Sequence, residues 1–161
     1  MQFTDEVNWT ALDFAVAGCL LFGLGTTAYL LIARSASHVG RAAACIAVAA
    51  ALMLVWVNLA VGIIDSEGNP ANLLYAGMIA VETVGVVIAR RRPSGMSVAL
   101  FATALAQALV AVIVLTVGLG ASEPPGRLGI LVLNGFFVAL FAASAWLFRR
   151  AAPAQPRPTA A

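Results

Sequence analysis

Five long apolar runs decide what this chain can fold into. They cover residues 11–33, 42–64, 70–89, 97–119 and 128–148. Each is close to the roughly 20 residues that a helix needs to cross hydrocarbon. Runs on this scale cannot all be hidden in a chain of 161 residues, because a small domain leaves much of its surface in water. Only 10% of the residues are charged, where a soluble domain has about 25%. A soluble enzyme, a nucleic-acid binder and a disordered chain are excluded on these grounds. In hydrocarbon every backbone N–H and C=O needs an internal partner, so the runs must be helices. The expected fold is all-α: a five-helix transmembrane bundle formed by residues 1–150. Residues 151–161 include Pro153, Pro156 and Pro158 and are expected as a disordered tail.

The connections carry a charge code. Arg34, His38 and Arg41 lie between the first two runs, Arg90, Arg91 and Arg92 between the third and fourth, and Arg149, Arg150 and Arg157 after the fifth. The alternate connections hold acids: Asp5 and Glu6, then Asp65 and Glu67, then Glu123, with Arg127 the exception. Positive residues mark cytoplasmic loops. The expected topology places the N-terminus outside and the C-terminus in the cytoplasm. An odd number of spans is required, and five fits both patterns. The basic residues are all Arg and Ala is abundant, which suggests a GC-rich bacterial genome. The expected location is therefore the bacterial inner membrane, as a multi-pass protein. The acidic N-terminus lacks the features of a cleaved signal peptide.

Local signals agree. Thr10 with Asp13 fits an N-cap and its capping-box partner, and Asn69-Pro70 fits an N-cap followed by Pro at the first helical position. Arg90–Arg92 with Pro93, Ser94 and Gly95 fits a tight inner turn. Trp9 and Trp146 fit opposite membrane interfaces. Val61-Gly62 through Ser66-Glu67 returns as Val117-Gly118 through Ser122-Glu123, so spans two–three and four–five are candidates for parallel hairpin repeats. Cys19 and Cys45 lie inside apolar runs and are expected as small packing residues. With His38 the only His, a haem, copper or zinc centre is not expected, and no cofactor is assigned.

The chemistry lies in a few polar residues within the spans. Asn58, Glu82, Gln107 and Asn134 fall one to a span, in spans two to five. One polar group per helix suggests a single interior cluster with lipid-facing walls almost free of polar atoms. Glu82 weighs most, because a charged carboxyl near the bilayer centre costs at least about 2.5 kcal/mol. No Arg lies within a span to pair with it. It is expected as the neutral acid, donating a hydrogen bond to Asn58, Gln107 or Asn134. Its functional reading is a proton-carrying site; its structural reading is hydrogen-bonded glue between helices.

The outer turn 65–72 is the densest polar segment. Its oxygens faintly echo a calcium loop, but the glycine is misplaced and Ala76 stands where the last acidic ligand belongs. No metal site is assigned. A capped turn is one reading; another has Glu67 and Asn72 lining the mouth of a cavity above Asn58 and Glu82. Trp56 is expected to fill the core. Small residues at Ala99, Thr103 and Ala111, in line with Gln107, and at Gly77 and Gly85 with Val81 between, suggest packing faces. No Ser/His/Asp or Cys/His set, phosphate loop or carboxylate pair beside a nucleophile is present.

The stretch from Trp56 to Tyr75 resembles a segment in a group of small, uncharacterised bacterial integral membrane proteins. The Arg-rich inner turn with Gly95-Met96, and Ala104 to Gln107, are similar too. The resemblance implies a compact multi-span inner-membrane protein and no activity. Taken together, the chain is expected to be a non-enzymatic membrane protein, structural or accessory. The alternative is a proton-coupled carrier or channel-like protein using Glu82. The lipid bilayer is the expected partner, with a homo-oligomer or a larger membrane complex as further readings and no nucleic acid.

Overall fold

The computed structural model describes residues 37–60, 63–64, 70–89, 92–120 and 126–152, together with Gly18, Gly25 and Ile32, which are helical. The rest of the first span, the turn residues 65–69 with Glu67, and the tail from Pro153 lie outside the described residues. Four α-helices follow in order: α1 (His38–Ala60), α2 (Leu73–Ala89), α3 (Pro93–Val117) and α4 (Gly126–Ala151), with a 3-10 turn at Pro70–Asn72 before α2. No strand occurs among the described residues. Helices α1, α3 and α4 are long and apolar enough to cross a membrane; α2 is a shorter apolar helix.

Helix ends follow local chemistry more than hydrophobicity. The Ser37 hydroxyl accepts from Gly40 N–H at 3.0 Å, an N-cap that starts α1 at His38, a residue expected in the loop. Pro93 occupies the first turn of α3 and Arg92 is its N-cap, without a side-chain cap bond. Ser94 and Gly95, expected in the inner turn, therefore belong to the helix. The connection from α2 to α3 brings the helices together: a Cβ on Gly95 would lie 3.0 Å from Ala89 Cα. At the other end of α3, Gly118 adopts φ 79°. There Gly118 and Leu119 N–H both donate to the Val114 carbonyl, closing the helix in the left-handed conformation that favours glycine.

Helices α2, α3 and α4 pack in sequence order, and α1 then packs against α4, while α1 and α2 touch only sparingly. Among the described residues the two candidate repeat pairs differ: α3 and α4 pack extensively, and α1 and α2 sparingly. Helix α1 presents a small-residue stripe, Ala43, Ala47, Ala50 and Ala51, followed by Leu54, all buried. Ser144 Oγ of α4 donates to the Ala43 carbonyl at 2.7 Å across this interface. The core continues through Met78, Met96, Leu100, Phe137, Phe141 and Phe148, and Ile32 packs against it.

The outside is as apolar as the inside. Val87, Ile88, Val98, Leu105 and Leu128 are each at least 70% exposed, while the buried residues include Asn72, Glu82, Thr103, Gln107, Asn134 and Ser144. Trp56 is 62% exposed, not in the core as expected. It sits two residues beyond Leu54, about 200° around the helix from the buried stripe. Cys45 is also exposed. On α3 the expected stripe of Ala99, Thr103, Gln107 and Ala111 is buried throughout. On α2 only Gly85 meets a neighbour; Gly77 has open space and Val81 faces outward.

Candidate functional site: a three-helix polar network

Asn134 enters the core from the buried face of α4, which repeats at Ile130, Phe137, Phe141 and Ser144. Its Nδ2 donates to the Ile130 carbonyl one turn back at 2.8 Å. A carbonyl only accepts, so this bond fixes which end of the amide is nitrogen. The Oδ1 end accepts from Gln107 Nε2 of α3 at 2.7 Å. The Tyr75 hydroxyl of α2 lies 3.2 Å from Asn134 Oδ1 and 3.1 Å from Nδ2. Three helices are thus joined through one buried amide.

Gln107 and Asn134 come together as the expectation for the cluster had it. The third member is Tyr75, which the sequence reading passed over. A tyrosine in an apolar run reads as a packing residue. Its spacing of seven from Glu82 places both on one face of α2, and that was the available signal.

Glu82 makes no direct hydrogen bond to any of the three amides. It is buried, and its Oε2 has no hydrogen-bond partner. The expected bond to Asn58, Gln107 or Asn134 is absent among the described residues. The reason is axial: Glu82 lies about 10 Å along α2 from Tyr75 at 1.5 Å per residue, and the phenol takes the place at Asn134 that the acid was expected to take.

Asn58 and Asn72 form a second polar locus at the other end of α1. Asn72 Oδ1 accepts from Ile63 N–H at 3.2 Å and Ile64 N–H at 3.0 Å. Its Nδ2 lies 3.4 Å from the Ile64 carbonyl, and its own carbonyl accepts from Asn58 Nδ2 at 3.3 Å. Asn72, a candidate for the mouth of a cavity, is a buried staple that holds the chain after α1 against the 3-10 turn. Glu67, its expected companion, lies outside the described residues. Asn58 is half-buried, and its Oδ1 is left without a partner. Among the described residues no group of His, Cys, Asp or Glu is placed to hold a metal ion.

The network is flanked by charge at one end. The Ser144–Ala43 bond and the short α2–α3 turn put Arg41, Arg92, Arg149 and Arg150 at the same end of the bundle. Arg150 stacks its guanidinium 3.8 Å from the centre of the Trp146 ring, one turn back on α4, a cation–π contact. Arg127 lies at the opposite end, with Nη2 close to Gly118. No protein-family model, curated protein or solved structure matches this chain.

Proposed function

We propose that the chain is a five-span protein of the bacterial inner membrane, N-terminus outside, with a non-enzymatic structural or accessory role and an interior polar network that locks its helices. The supporting observation is the Tyr75–Asn134–Gln107 network, which ties α2, α3 and α4 inside a bundle whose exterior is apolar. Hydrogen bonds between helices in membranes contribute about 0.6 kcal/mol on average and up to about 1.7 kcal/mol. Asn134→Leu removes several at once and is expected to cost about 2 kcal/mol on that scale. Thermal unfolding in detergent checks this, and an unchanged midpoint overturns the glue reading. An accessory role further expects migration with a larger membrane complex on native gels; a homo-oligomer gives a multiple of the chain mass.

A second reading is favoured by Glu82, whose Oε2 is buried without a partner. Intramembrane acids of this kind are commonly parts of proton paths, and the chain would then be a proton-coupled carrier or channel-like protein. Proteoliposomes under a pH jump test it. Equal flux in wild type and Glu82→Gln removes the transport reading. Kinship with the small inner-membrane proteins that the Trp56–Tyr75 segment resembles belongs to the same proposal.

A further inference from the structure

Two oxygen atoms in the core have no hydrogen-bond partner although their residues are almost wholly buried. They are Glu82 Oε2 on α2 and Gln107 Oε1 on α3, in residues 8% and 0% exposed. The polarity of Gln107 is fixed by its neighbours. The Ile130 carbonyl orients Asn134, and Asn134 Oδ1 takes the Gln107 Nε2 donor, so the far end of Gln107 is an acceptor facing nothing. Buried polar atoms are rarely left in this state, and the usual remedy is an interior water.

The register sets the heights of the two residues on α2 and α3. A Cβ on Gly85 would lie 2.9 Å from Ala99 Cβ, which sets the level at which the two antiparallel helices touch. Counting from there, Glu82 and Gln107 differ by five residues in height, about 7–8 Å at 1.5 Å per residue. Cα–Cβ bonds tilt toward the N-terminus of their own helix. The two helices run in opposite directions, so Glu82 leans toward the level of Gln107 and Gln107 leans toward the level of Glu82. The axial offset between the two side chains is therefore smaller than that between their backbones.

We infer that Glu82 Oε2 and Gln107 Oε1 frame an interior site for a single water molecule, which donates to the Gln107 amide oxygen and shares its second hydrogen bond with the Glu82 carboxyl. The count matches: two orphan oxygens each gain a partner from one water. The water extends the Tyr75–Asn134–Gln107 network to Glu82 and places a proton donor and acceptor directly beside the carboxyl. This inference deepens the network reading above and rests on it.

Water-edited solid-state NMR on the full chain in proteoliposomes tests it, with Glu, Gln, Met and Leu labelled. The Glu82 carboxyl and Gln107 amide carbons are assigned in the wild-type chain through correlations to their own backbone atoms, and their loss in Glu82→Leu and Gln107→Met checks the assignment. Both are expected to receive magnetisation from water well before the methyl groups of Met78 and Leu100, which lie in the same core. Gln107→Met is expected to slow the transfer to Glu82 several-fold, since one of the two anchors is gone. Build-up at Glu82 and Gln107 no faster than at Met78 and Leu100 overturns the site. So does transfer to Glu82 that Gln107→Met leaves unchanged. The wild-type measurement decides the matter even where the variant does not fold. A dry pair leaves the stability test of Asn134 standing, and an unaffected midpoint in Asn134→Leu leaves a wet pair standing, so the two readings fail separately.

Discussion

Asn134 serves two partners on two other helices, so its neighbours are energetically coupled through it. Tyr75→Phe removes only a hydroxyl and is expected to cost about 0.5–1.5 kcal/mol, the net value of an ordinary hydrogen bond. Combined with Gln107→Leu, the effects should fall short of additivity, because residues sharing a partner interact by about 0.5–3 kcal/mol in double-mutant cycles. Detergent unfolding of the four proteins in the cycle reads this, and strict additivity contradicts a shared role for Asn134. Asn72→Ala strands the buried N–H groups of Ile63 and Ile64 and is expected to destabilise by about 1–3 kcal/mol. Polarity in an apolar run sufficed to single out Gln107 and Asn134. It did not reveal that Asn72 closes a loop, because an amide in a turn has the same signature whether it faces backbone or solvent.

Close approach of α2 and α3 depends on Gly85 of α2 and Gly95 of α3, and Gly77 of α2 is a control. Gly85→Ala sets a methyl 2.9 Å from Ala99 Cβ and is expected to cost about 1–3 kcal/mol, as overpacking does. Gly77→Ala meets nothing within 4 Å and is expected to be neutral or stabilising by up to about 1 kcal/mol through helix propensity. Equal effects on the unfolding midpoint would contradict the packing shown. The sequence grouped Gly77 with Gly85 because four-residue spacing looks like one face. Each such step drifts by about 40° at 3.6 residues per turn, enough to carry Gly77 away from the contact. The existence of α1 to α4 was legible in their apolar lengths. Their ends were less so, since hydropathy locates hydrocarbon, and caps such as Ser37 and Pro93 locate the hydrogen-bonded start.

The bundle as a whole is apolar outside, sparsely polar inside and rich in arginine at one end, and the proposed orientation follows from that last property. With Cys19 and Cys45 replaced by Ala, a thiol introduced by Ala152→Cys is expected to resist an impermeant maleimide in intact spheroplasts and to react after permeabilisation. Labelling in intact cells reverses the topology. The order of packing was not legible, because lengths and charges say which segments cross and in which direction, but not which ones touch. That order has a consequence for biogenesis. Helix α1 has its main partner in α4, the last of the four to leave the ribosome. Until residue 126 and beyond are synthesised, the alanine stripe of α1 waits in lipid without its neighbour. A ribosome stalled or a message truncated in the α3–α4 connection therefore yields a nascent chain in which this stripe is still open, and membrane quality control has its window there.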